Sequence, residues 1–170
     1  MVDIGAFRFG VATASLGMAA SHTLELKLAA LQKSGFTCCE LGFGEYVAWV
    51  RRQCPDLSVT GASLGYNRLM VTGSPPSTCP PEWCEGDEPD PSDGKIWEAM
   101  NAQAPRLTAL AESFGLKIMA LQPLNQFDGW PEGCERAVWV RRKAERWLPL
   151  CAQLGVNLLQ VCDWLSVDFC

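Results

Sequence analysis

Four polar side chains stand where they could do chemistry. Glu40 lies near the end of an apolar run, Phe36 to Leu41. A carboxylate in that place contacts a bound molecule or relays a proton, or else it is a structural hydrogen-bonding group. Gln122 and Gln160 sit at the ends of two further apolar runs. An amide there either faces a ligand, donating and accepting hydrogen bonds, or caps the rim of the fold. His22 follows a first apolar run and precedes a helical pattern. It is the one side chain here whose ordinary titration falls near neutral pH, and its plain alternative is a surface or capping residue. The resulting assignment makes Glu40 and His22 the candidate catalytic pair and Gln122 and Gln160 the candidate substrate-binding pair, with no metal ligand assigned.

Other chemistries find less support. His22 is the only histidine, and Cys79 and Cys84 have no second half at zinc-site spacing, so a structural zinc site is not expected. The nine cysteines are odd in number and irregularly spaced, which reads as reduced thiols rather than a disulfide framework. No Cys-x-x-Cys is present to suggest a redox centre. The carboxylates from Glu82 to Asp93 read as an exposed loop. The basic cluster Arg141, Arg142, Lys143 and Arg146 lies in a predicted helix and reads as a solvated face. Trp130 and Trp139 read as packing residues.

The elements that must position these groups are announced by a repeated pattern of helix, glycine and buried strand. It runs Ala30 to Leu41 with Gly35, Leu110 to Leu121 with Gly115, and Cys151 to Val161 with Gly155. A glycine just past a helix adopts the left-handed cap conformation cheaply. A short apolar run directly after it reads as a strand buried on both faces. Repeats of this kind build a parallel α/β fold, which keeps its chemistry at the strand ends.

The expected elements are a strand Phe7–Ala14, a helix from about Ser21 or Thr23 to Gly35, and a strand Phe36–Leu41. A short helix Glu45–Gln53 follows. From Cys54 to Asp93 seven prolines interrupt any periodicity, and this Pro-rich stretch reads as an irregular insertion. Ser92 or Asp93 then caps a helix ending at Gly115, with Pro105 expected to kink it. A strand Lys117–Leu121, a loop Gln122–Pro131, a helix of about Cys134–Leu154 bent at Pro149, and a strand Asn157–Val161 complete the pattern.

With 170 residues, 48% hydrophobic and 19% charged, the chain is one domain's worth with material for a sizeable core. Its net charge of −5 argues against nucleic acid or an anionic membrane as partner. No stretch approaches the ~18 apolar residues of a membrane span, and the N-terminus lacks a secretory pattern, so a cytoplasmic location is expected. The turn Ser15-Leu16-Gly17-Met18 carries one glycine, which disfavours a dinucleotide-binding doubly wound fold. Four strands with intervening helices suit about four βα units of a (β/α)8 TIM barrel, a fold that needs ~200 residues or more when whole.

The opening Ala12-Thr13-Ala14-Ser15-Leu16-Gly17-Met18, with Ser21-His22-Thr23-Leu24 and Lys27-Leu28, resembles the sugar phosphate isomerase/epimerase family of xylose isomerase-like TIM barrels. Glu40-Leu41, Leu121-Gln122-Pro123, Asp128-Gly129, Lys143 to Leu148, Leu154-Gly155 and Leu159-Gln160-Val161 extend the likeness over about 8–53 and 92–161. The fungal branch that includes 3-dehydroshikimate dehydratases is the nearest match. The resemblance implies a divalent metal (Mn, Mg, Co or Zn) at the carboxyl mouth of a barrel, polarising a carbonyl while side chains shuttle protons. It implies a lyase or isomerase acting on a small polyhydroxylated carbonyl compound.

The family's metal ligands come mainly from later strands, which have no counterpart after Val161. The chain is therefore expected to be a truncated single domain, 1–170, holding the N-terminal half of such a barrel. The alternative is a catalytically inactive fragment serving as a binding module or without function. Unpaired strand edges lead to the further expectation of a homodimer.

Overall fold

A computed structural model describes residues 9–17, 21–57, 89, 91–125, 131–133 and 135–162. Phe7, most of the Pro-rich stretch, Asp128-Gly129, Trp130 and the residues after Cys162 lie outside the described residues. The elements are β1 (Gly10–Ala12), a 3-10 turn (Thr13–Leu16), α1 (Leu24–Lys33), β2 (Cys38–Gly42), α2 (Phe43–Gln53), α3 (Gly94–Ser113), β3 (Lys117–Asn125), α4 (Glu135–Gln153) and β4 (Leu159–Cys162). The strands form one sheet in the order β1-β2-β3-β4, and every pairing is parallel. This is the α/β architecture of a partial TIM barrel.

The repeated glycines do what their spacing predicts. Gly35, Gly115 and Gly155 have φ of +79°, +70° and +68°. In each copy the residue after the glycine donates its N–H back into the helix: Phe36 to Leu31, Leu116 to Ala111 and Val156 to Cys151, at 3.0–3.1 Å. Each glycine N–H closes the shorter loop, on Gln32, Glu112 and Ala152. These are Schellman caps, and the apolar side chains that flank them complete the motif. Helix starts are equally local. Thr23 accepts from the Leu26 N–H and Asp93 from the Ile96 N–H, both at 3.4 Å.

Strand limits differ from expectation because pairing, not composition, sets them. Pairing with β4 through Leu124 and Asn125 extends β3 four residues beyond Leu121, into the segment expected to be a loop. The first strand is short, since Thr13 and Ala14 turn away in a 3-10 helix. The second helix begins at Phe43, directly from β2. α3 and α4 run unbroken through Pro105 and Pro149.

The core lies between sheet and helices. Leu24, Leu28 and Leu31 of α1, Cys39 and Leu41 of β2, Ile118 and Leu121 of β3, and Trp147, Leu150 and Leu154 belong to one buried cluster. Phe43 stacks on Trp147 with ring centroids 4.0 Å apart and on Trp97 at 5.8 Å, tying α2 to α3 and α4. The Tyr46 hydroxyl donates to the Met100 carbonyl, a second α2–α3 tie. One reading of the basic cluster is overturned. Arg141 and Arg142 are exposed, but Lys143 is fully buried, its ammonium 5.3 and 5.5 Å from the Trp139 and Trp147 rings. Its place among Val140, Trp147 and Leu150, at three-, four- and seven-residue intervals, puts it on the apolar stripe rather than the solvated one. Arg146 donates to the Pro91 carbonyl at 2.8 Å.

Candidate functional site

Alternation along the strands sorts side chains between two faces. Cys39 and Leu41 face the helices, so Glu40 between them faces the opposite side of the sheet, half-buried. Glu40 pairs with Ala12 on one side and Ala120 on the other. Gln122 follows Leu121 and pairs with Gly42, two residues beyond the Glu40 level. Gln160 follows Leu159, the partner of Leu121, and is exposed. Glu40, Gln122 and Gln160 thus share the helix-free face of three adjacent strands, but not the strand ends expected for them: Glu40 is the middle residue of β2, Gln122 lies three residues before the end of β3, and Gln160 is second in β4. Nearer the amino end the same face is filled by sulfur: a Cβ built on Gly10 would lie 3.0 Å from Cys38 Sγ and 3.1 Å from Met119 Sδ.

His22 lies off the strands, just before α1. It is exposed, and its imidazole lies against Gly17. A Cβ on Gly17 would collide with Nδ1 and come within 2.7 Å of Cε1. Gly17 has φ +106°, so both its backbone and its neighbour demand glycine.

Beside it is a buried polar chain that the sequence reading did not single out. Thr13, fully buried at the end of β1, accepts the Gly42 N–H at 2.9 Å and donates to Glu45 Oε2. Glu45 Oε1 accepts from Lys27 Nζ, which also donates to the Gly17 carbonyl at 2.5 Å. Lys27 is 4% exposed and Glu45 20%. The helix order makes this convergence possible, since α2 starts directly on β2 and brings Glu45 in its first turn over the β1 end. Loss of water around Lys27 lowers its pKa below the ordinary lysine value.

A sequence signal for Lys27 existed. Leu24, Lys27, Leu28 and Leu31 fall on one helical stripe, so the lysine interrupts an apolar face and requires a buried partner. Glu45 gave no such signal, because its partners lie 18 and 32 residues away in sequence.

Among the described residues no group of three or more His, Cys, Asp or Glu side chains could hold a metal ion. Cys38, Cys39, Cys54 and Cys151 are free thiols. Burial raises the Cys39 pKa to about 11, with the neighbouring Cys38 and Glu40 adding to the shift. Burial likewise raises that of Cys151. The Cys39 and Cys151 thiols are therefore poor nucleophiles. No described helix is long and apolar enough to cross a membrane.

No protein-family model matches the chain, and no curated protein matches it. A solved structure does: a xylose isomerase-like TIM barrel/4-hydroxyphenylpyruvate dioxygenase fusion protein, with a TM-score of 0.51 and 18% identity. The match covers 92% of this chain and 16% of that one, so this chain spans about a sixth of its neighbour's length. At that identity the likeness shows the fold alone, part of a TIM barrel.

Proposed function

We propose that this chain supplies part of the mouth of a lyase or isomerase that acts on a small polyhydroxylated carbonyl compound, of the 3-dehydroshikimate dehydratase type. The observation that carries the reading is that Glu40, Gln122 and Gln160 share one face of three adjacent parallel strands, the face that the helices leave open. Two amides hydrogen-bond adjacent hydroxyl or carbonyl oxygens of the substrate and fix its orientation. Glu40 takes a proton from the carbon beside the carbonyl. In an elimination the departing hydroxyl receives a proton and leaves as water; in an isomerisation the proton returns to the neighbouring carbon. His22, across the loop after β1, is the proposed second proton carrier.

The described residues do not fit a divalent metal centre, since no three ligating side chains converge. The proton steps above therefore rest on this chain's own side chains. In this reading a second copy covers the sheet edges: β1 and β4 are unpaired on their outer sides among the described residues. Phe9 beside β1 is 63% exposed and Val161 in β4 is 45% exposed.

The test is calorimetric titration of the purified chain with 3-dehydroshikimate and with simple hydroxy-ketones, followed by turnover assays. Loss of one amide contact in Gln122→Ala or Gln160→Ala should weaken binding about fivefold. Glu40→Gln should bind and not turn over. Equal affinity in all three variants and the parent sinks the proposal.

A further inference from the structure

We infer that Lys27 and Glu45 are positioning residues that hold His22 at the mouth by way of Gly17; this rests on the reading of His22 as a working group of that site. Three observations converge. First, the pair is tied at both ends. Lys27 Nζ grips the Gly17 carbonyl, and Glu45 is anchored to Thr13, itself fixed by the Gly42 N–H at the end of β2. The chain of bonds runs from the rigid sheet to a single loop residue. Second, Gly17 sits at φ +106° and ψ 152°, a backbone state that the Lys27 bond to its carbonyl helps to hold. Third, the His22 imidazole lies directly on the Gly17 α-carbon, in space that any side chain at position 17 would occupy. Moving Gly17 moves the surface on which the ring rests.

Stability alone is a weak account of this arrangement. Removing two charges from water is expensive, and apolar pairs of similar volume often serve a fold equally well. The geometry here does something that an apolar pair cannot: it delivers a directional hydrogen bond to one carbonyl of a glycine that abuts an exposed histidine. Thr13, Lys27 and Glu45 touch no substrate in this scheme and act only through Gly17.

His22 is the chain's only histidine, so the imidazole signals in a proton–carbon NMR spectrum belong to it alone. The experiment compares those signals and the rate of carbethoxylation by diethyl pyrocarbonate in ligand-free protein at one pH. The variants are Lys27→Met, Glu45→Gln and the double variant, with Tyr46→Phe as a control. The control loses the buried bond to Met100 and leaves the polar chain intact.

The expected result is displaced imidazole signals and a carbethoxylation rate about fivefold faster in the three pair variants, the scale of one lost hydrogen bond. Tyr46→Phe should keep the parent signals and rate. If folded double variant retains the parent His22 signals and rate, or if Tyr46→Phe changes them as much, the inference is overturned. Because no substrate is present, its failure is separate from a failure of the proposed activity. The activity would fail as absent binding by the parent, while the His22 comparison still reads out.

Discussion

Lys27 of α1 and Glu45 of α2 form an ion pair at the carboxyl end of the first two strands, with Lys27 buried and Glu45 mostly so. In that setting one partner without the other leaves a charge with no counter-ion in a poorly hydrated place. Lys27→Met should cost about 3 kcal/mol of unfolding free energy and Glu45→Gln somewhat less, since Glu45 keeps 20% exposure. The double variant should cost at least about 1 kcal/mol less than the sum of the two. Urea unfolding of all four proteins gives the cycle; strict additivity would mean that the two groups are not coupled.

Two left-handed glycines separate backbone strain from collision. Gly35, at φ +79°, has nothing within 4 Å of a built Cβ, while Gly17, at φ +106°, meets His22. Gly35→Ala should cost about 1 kcal/mol, the penalty of a left-handed alanine. Gly17→Ala carries strain of about 1–3 kcal/mol and must also displace the imidazole. The expected outcome is a larger loss of urea stability at 17 than at 35. Equal losses would show that the His22 contact adds nothing.

What could be read from the sequence was what is local. The three Schellman caps, the Thr23 and Asp93 caps and the apolar stripe of α1 each depend on residues within about seven positions, so spacing reveals them. The extension of β3 to Asn125 depends on β4, some 37 residues further on, and was invisible. The polar chain of Thr13, Lys27 and Glu45 joins three elements. Only Lys27, stranded on an apolar stripe, hinted at it. Lys143 carried the same hint, obscured by the arginines immediately before it. In both cases the helical position of the lysine was more informative than the local density of charge.

The aromatic stack gives a prediction about the core. Trp147 is fully buried and lies against Phe43 on one side, with Lys143 over its ring. Trp147→Ala removes the Phe43–Trp147 stack between α2 and α4 and should cost about 3–5 kcal/mol. Leu148→Ala, at an exposed neighbouring position, should change stability by no more than about 0.5 kcal/mol. Comparable losses at the two positions in chemical denaturation would remove the stack from the account of the core.

The proposed pairing of two copies through sheet edges is open to sedimentation. Exposed strand edges are blunted by lysine. If a second copy covers β4, the parent chain should sediment as a dimer and Val161→Lys as a monomer. Leu26→Lys, exposed on α1 and not on a strand, should leave the dimer intact. A monomeric parent, or a dimer broken at Leu26 and not at Val161, would rule out the edge pairing.

Alkaline pH should weaken the fold through Cys39. Its thiol titrates at about 11 in the folded chain against 9.0 as its ordinary value, because burial disfavours the thiolate. The unfolded chain therefore releases this proton first. The contribution is fully present below pH 9, falls as pH rises from 9 to 11, and amounts to about 3 kcal/mol when complete. Tyr46 acts in the same direction above pH 10, since burial raises its phenol too. Lys27 opposes them: its lowered value lets the folded chain lose a proton that the unfolded chain still holds, which favours folding as pH approaches 10.5. Cys39→Ala isolates the first effect. Urea midpoints measured from pH 8 to 11 should fall less steeply in Cys39→Ala than in the parent, although the variant starts from a lower stability at pH 8 because it loses buried volume. Parallel curves would show that the Cys39 thiol is not held protonated by the fold.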